Sequence, residues 1–277
     1  MASPVSFDVC VADLKPLPAG SLMLVASHRP QWRDATLSLV ALNLAIDDHP
    51  ILYLALGEVA ESALDRFGAN CHNVCTEWAE RDADEQLGSR PPTLPQSTPQ
   101  SDREKAKDRW KTSRAKLIKK LYEGHAEGFT HNGFQFHGVV EPNMEEVYRA
   151  MLNGRSRYLG NPLPLVVLVD DLCAIQRARG KSGGPKLCGE HARALKDFAV
   201  EHGMLVVAGM PAPFILKTVA RHGLKVEEEV LLKPGDLNAY GSPDEVCDAA
   251  VSTYRGLTDV GWCLIDHAFV HRYGITT

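Results

Sequence analysis

The sequence contains no uninterrupted run of about 18 apolar residues, so nothing in it reads as a membrane-spanning helix. Its first residues, MASPVSFDVCVADLKP, lack the basic start and apolar stretch of a secretory signal. With neither feature present, the expected location is the cytoplasm. There is no excess of positive charge either. Thirty Lys and Arg stand against 35 Asp and Glu, a net charge of −5, so the molecule as a whole is no general polyanion binder. The seven cysteines (Cys10, Cys71, Cys75, Cys173, Cys188, Cys247 and Cys263) are odd in number and scattered, and read as reduced thiols rather than a disulfide framework. The one close pair, Cys71 and Cys75, has no second Cys or His pair to complete a zinc site, so no metal is expected.

What is present is a chain of 277 residues, 44% hydrophobic and 23% charged, which is the profile of a globular protein with a full core. Short apolar runs alternate with helical patterns. Strands are expected over Ser21–Ser27, Ile51–Leu56, Phe134–Val139, Leu165–Val169, Met204–Ala208, Glu229–Leu232 and Gly261–Asp266. Helices are expected over Ala35–Asp47, Val59–Glu80, Met144–Asn153 and Gly189–His202. This alternation predicts an α/β domain over residues 1–277, with a mostly parallel central sheet and helices on both faces. The all-apolar LVVLV run should lie at the sheet centre.

One insertion breaks the rhythm. Residues 88–101, GSRPPTLPQSTPQS, are rich in Pro, Ser, Thr and Gln and read as a flexible loop. Residues 102–124 then read as a basic amphipathic helix. From Asp102 to Tyr122 there are nine Lys and Arg, Lys116, Lys119 and Lys120 among them, against three Asp and Glu. Ala106, Trp110, Leu117, Ile118, Leu121 and Tyr122 form its apolar stripe. Such a helix can be a solvated surface element, a nucleic-acid contact or a docking site for an acidic protein.

The stretch VASHRPQWRDATLSL (Val25–Leu39) joins the first strand to the first helix, where a nucleotide-binding protein would carry its phosphate loop, yet it has no glycine and no lysine. LPAGSLMLVASHRP around its start resembles the beginning of the nucleotide site in the ATPase domain of DnaB-type replicative DNA helicases. ILYLALGEVAESALDRF is similar to the next strand and helix of that family, and PLVVLVDDLCAI to its second nucleotide strand with a terminal aspartate. ARALKDFAVEHGMLVVAGM and VSTYRGLTDVGWCLIDHAFVHRYG resemble the segments that follow. Together they cover most of residues 11–274 in the family's order. The resemblance implies a RecA-like P-loop NTPase fold.

It also implies where this chain departs from the family. The Gly-Lys-Thr that closes the phosphate loop falls on Arg33, Asp34 and Ala35. An aspartate at the lysine position exchanges attraction for repulsion, each about 4 kcal/mol for charges about 4 Å apart at an effective dielectric near 20. Ala35 has no hydroxyl for Mg²⁺. Arg29 lies just upstream, Arg33 is cationic, and Thr36 carries a hydroxyl one position late. The family's catalytic glutamate falls on Gly57, with Glu58 beside it. Asp170 matches the Mg²⁺-associated aspartate, and Arg255 the arginine inserted across a subunit interface, whereas Thr253 replaces the accompanying lysine. Residues 176–186, QRARGKSGGPK, carry Arg177, Arg179, Lys181 and Lys186 where related helicases touch the DNA backbone. The family's N-terminal helical domain has no room in the few residues before Val11.

The reading that follows is a helicase-like domain with a degenerate phosphate loop, without cofactor or turnover, acting by binding. Its expected partners are single-stranded DNA, a replication protein or helicase, or further copies of itself. The alternative is a divergent ATP-dependent helicase working through Arg33, Thr36, Glu58, Asp170 and an Arg255 from a neighbouring subunit.

Overall fold

The computed structural model describes residues 16–93, 95, 97–130, 134–175, 187–213, 216–221, 224–229, 235–254 and 267–271. Five strands carry the core in the expected places: β1 (Leu22–Ser27), β2 (Ile51–Leu56), β3 (Phe134–Val139), β4 (Val166–Asp170) and β5 (Leu205–Pro211). A short antiparallel pair follows, β6 (Leu216–Arg221) and β7 (Leu224–Glu229). Then come β8 (Ala249–Tyr254) and β9 (His267–His271). The main sheet runs β3-β2-β4-β5-β1-β8-β9, parallel throughout except for the antiparallel β9 edge. The strands β1, β2 and β4 are buried along their whole length, as apolar runs covered on both faces require.

Alternating side chains feed two apolar layers. Met23 and Val25 join the layer under the helices α1 (Pro30–Ile46) and α2 (Ala60–Leu87). Leu22, Leu24 and Ala26 join the layer under α4 (Met144–Arg157) and α5 (Cys188–His202). The start of α4 is set by Asn143, whose side chain accepts the Glu146 N–H at 3.0 Å. Between α2 and β3 lies α3 (Gln100–Thr130), the basic helix, paired with α2. In α2, Ala63, Phe67, Cys71, Cys75, Ala79 and Ala83 form a buried row at strict four-residue spacing. That row carries the helix past the expected end at Glu80 to Leu87. Cys71 and Cys75 are therefore core thiols, and burial raises the pKa of both.

Several expectations need correction. The first helix begins at Pro30, five residues before Ala35, because proline is well suited to the first helical position, where no N–H partner is needed. The strands β6, β8 and β9 fall outside the strand ranges expected from the sequence. The strand expected at Glu229–Leu232 meets the described chain only at the last residue of β7, and the one expected at Gly261–Asp266 lies outside the described residues. Not all thiols are free: Cys173, in a 3-10 turn after β4, is bonded to Cys188 at the start of α5. Fifteen residues apart, they gave no sign in the sequence that the fold brings their Cα atoms to 5.4 Å.

The sheet edge is tied to α2 by a close approach. A Cβ added to Gly138 on β3 would lie 2.8 Å from Ala60 Cα and 3.0 Å from the Glu58 carbonyl oxygen, both main-chain atoms with little room to move. Gly138→Ala should therefore destabilise the fold by about 1–3 kcal/mol, measured by urea denaturation.

Candidate functional site

A charged cluster sits beyond the carboxyl ends of β1, β2 and β4, the position where open parallel sheets present their binding residues. The connection from β1 to α1 is only His28 and Arg29, after which the chain is helical. The Arg29 carbonyl already accepts the Arg33 N–H. Residues 33 to 36 therefore lie on α1, and Arg33 and Asp34 are 8% and 6% exposed.

The Arg33 side chain crosses from α1 to the end of β4, passing over β5, which lies between β1 and β4. Gly209 on β5 makes the passage possible. A Cβ there would meet Arg33 Cδ and Leu37 Cδ1, each at 2.9 Å. At its end the Arg33 guanidinium meets three carboxylates. Nη2 is 3.1 Å from Asp34 Oδ1 and Nη1 donates to Asp171 Oδ2 at 2.9 Å. Nε lies 3.1 Å from Asp170 Oδ1, an ion pair without hydrogen-bond alignment.

A second arginine closes the circuit. Arg66, in the second turn of α2, places Nε 2.9 Å from Asp34 Oδ2 and Nη2 2.9 Å from Asp170 Oδ2. It also holds Glu58 through Nη2 and Nη1, at 2.7 and 2.8 Å. Asp34 and Asp170 thus each bridge both arginines, giving an alternating ring Arg33–Asp34–Arg66–Asp170. Asp171 and Glu58 attach at its rim. Tyr53 from β2 donates its hydroxyl to Asp170 Oδ2 at 2.9 Å, so the buried acid at the strand end is held from three sides.

The charges do not cancel, because four carboxylates face two guanidiniums. Burial raises the Asp34 carboxyl, the Asp170 charge adds to it, and Arg33 and Arg66 oppose them only in part, leaving it at about 6. Burial likewise lifts Asp171 above the usual carboxylate range against the pull of Arg33. Burial works against the charge on Arg33, yet Asp170, Asp171 and Asp34 hold its pKa above the ordinary arginine value. Tyr53, buried beside Asp170, is pushed well above the usual phenol range and stays a donor.

The structure brings Arg33, Asp34, Glu58 and Asp170 together. It places Arg29 outside the ring, exposed, with Nε donating to His28 Nε2 at 3.0 Å. Thr36 lies buried inside α1. Lys116, Lys119 and Lys120 are exposed on α3, far along the chain from the ring. Arg177, Arg179, Lys181, Lys186 and Arg255 lie outside the described residues. Sequence reasoning missed Arg66, Tyr53 and Asp171. The available signal was the helix that leaves the end of β2, where Arg66 lies three residues after the buried Ala63 and next to the buried Phe67.

Six parallel strands with helices on both faces define a doubly wound α/β domain. More particularly, the fold is RecA-like, shared with solved ATPase and DnaB-like helicase structures. One solved ATPase domain superposes with a TM-score of 0.54 at 13% identity, over 86% of this chain and 70% of that one. A DnaB-like replicative helicase, solved for its interactions with primase, superposes with a TM-score of 0.54 at 11% identity, over 86% of this chain and 48% of that one. The chain thus spans about half the length of the second helicase. A KaiC-like protein from Pyrococcus horikoshii OT3 is similar over 94% of this chain, with a TM-score of 0.48 and 9% identity. No protein-family model and no curated protein matches the chain.

The raised Asp34 carboxyl makes stability depend on pH in a definite direction. From about pH 4 to 6 the folded state holds a proton on Asp34 that the unfolded chain, titrating near 3.8, has released. This group's contribution is therefore most favourable below pH 4 and is lost as pH rises through 6. Asp34→Asn mimics the protonated form. Its stability relative to the unsubstituted protein should rise by on the order of 2 kcal/mol between pH 4 and 7 in parallel urea titrations.

Proposed function

We propose that this domain is a helicase-like RecA-fold unit that has lost nucleotide hydrolysis and acts by binding in DNA replication or repair. The observation that carries the reading is Arg33, whose side chain fills the space beyond β1 and β4 and is held there by three carboxylates. A phosphate loop needs free main-chain N–H groups turned toward the phosphates and room for them to approach. Here the chain is helical from Pro30, so from Arg33 onward its N–H groups are committed to the helix. A triphosphate placed here would meet the carboxylates of Asp34, Asp170, Asp171 and Glu58, with both arginines already engaged. These residues do not fit a nucleoside triphosphate.

The rival, a divergent active ATPase, fares worse on the same geometry. Arg33 and Asp170 neutralise each other, and Thr36 is buried within α1. The likeness to a helicase ATPase domain and to a helicase studied with primase supports DNA, a replication protein or a further copy of the chain as partner. A single domain over 1–277, cytoplasmic and with a degenerate phosphate loop, belongs to the same reading. Titration calorimetry with MgATP to millimolar concentration should give no saturable heat, and a phosphate-release assay no turnover. Saturable binding, or hydrolysis lost in Asp170→Ala, would contradict the proposal.

A further inference from the structure

The helical pair α2–α3 divides its charge by helix. Its lengths are about 42 and 46 Å, against about 20 Å for a six-residue strand of the sheet it follows, so the pair outruns the sheet. One side of α3 is fastened to α2: Arg114 Nε donates to Asp84 Oδ1 at 2.9 Å, and Trp110 Nε1 donates to the Leu87 carbonyl. Tyr122 packs against the core layer under α1 and bonds His72. The rest of the α3 surface is mainly cationic: Asp102, Glu104, Asp108 and Glu123 are exposed among twice as many exposed Lys and Arg.

Lys107, Arg109, Lys111, Lys116 and Lys120 are exposed and make no ion pair with any described residue. Lys105 and Lys119 are exposed too, and their pairs with Asp102 and Glu123 are loose, at 3.6 and 3.8 Å. Such surface pairs are worth about 0–1 kcal/mol and give way to a better partner. Arg109, Lys116 and Lys120 stand at i, i+7 and i+11, within about 40° of one another around the helix. Across the hairpin, α2 exposes Glu61, Asp65, Glu80 and Glu85.

We propose that the row Arg109–Lys116–Lys120, with Lys105 and Lys119 beside it, binds the phosphate backbone of single-stranded nucleic acid. The proposal rests on the reading that the domain acts by binding, and names the partner's chemistry. Two observations choose a polyanion over an acidic protein. Protein interfaces are anchored by large apolar or aromatic side chains at their centre. None of the large apolar side chains exposed among the described residues lies on α3, and Trp110 is turned to α2. A phosphate backbone needs no such anchor. Its charges are closely and evenly spaced, so cations about 6 and 10 Å apart on a helix find phosphates in any sequence. The acidic surface of α2 repels the same backbone and confines contact to the α3 side. This also reconciles the net charge of −5 with nucleic-acid binding, since the cations are collected on one helix.

The test is fluorescence anisotropy of the full chain with 30-nucleotide single strands of two unrelated sequences, over a salt series. The triple variant Arg109→Glu, Lys116→Glu, Lys120→Glu alters only exposed side chains, and an unchanged melting temperature confirms its folding. Its affinity for both strands should fall at least about tenfold, and the slope of log K against log salt should shrink by about 2, near 0.7 per lost phosphate contact. Arg109→Lys should retain the affinity. Unchanged affinity and slope in the folded triple variant would overturn the proposal, as would absence of binding by the unsubstituted chain. Equal competition by polyglutamate would also overturn it, pointing to an acidic protein. Nucleotide calorimetry is unaffected by these outcomes, so failure here leaves the loss of hydrolysis standing and the reverse is equally visible.

Discussion

The position of one guanidinium organises the carboxyl end of this sheet. Arg33 leaves α1, crosses β5 and ends among Asp34, Asp170 and Asp171, while Arg66 returns from α2 to two of the same acids. Asp34 and Asp170 are buried, and an unpaired buried charge costs several kcal/mol, so loss of either arginine's charge would leave both acids short of a partner. The ring ties α1, α2 and the β4 strand end to one another. With Asp171 and Glu58 at its rim, four carboxylates face two guanidiniums, and burial together with the Asp170 charge raises the Asp34 carboxyl.

The neighbouring backbone accommodates this arrangement at two points. Gly209 leaves the gap through which Arg33 passes, and Pro30 starts the helix early enough to put Arg33 one turn inside it. A helix begun at Ala35, as the apolar pattern alone suggests, would have left Arg33 and Asp34 in a loop with their main-chain N–H groups free. The extra turn commits those groups to the helix and points the two side chains inward. A fold shared with DnaB-like ATPase domains can therefore hold a different chemistry at the same strand ends.

Much of the fold could be read from the sequence because burial on both faces forces β1, β2, β4 and β5 into continuous apolar runs. The four-residue repeat from Ala63 to Ala83 is equally regular, although alanine's weak hydrophobicity hid its last member, Ala83, beyond the expected helix end at Glu80. The site was legible only on one side. Asp34 and Asp170 stood out as acids at particular positions, and Arg33 as a large cation where glycine was expected. What linear reasoning could not supply was pairing: Arg66 meets Asp34 from 32 residues away and Asp170 from 104, through a sheet order that no local pattern encodes. The same holds for Cys173 and Cys188, which only the path from β4 to α5 brings together.

The central claim is that Arg33 and Arg66 occupy, and are held in, the volume a nucleotide would need. The most direct measurement is ¹⁵N NMR of the arginine side-chain Nε–H groups, assigned through Arg33→Lys and Arg66→Lys variants. The account predicts two Nε–H signals protected from solvent exchange, whose positions do not move on addition of millimolar MgATP. Signals that exchange freely, or that shift saturably with MgATP, would contradict it.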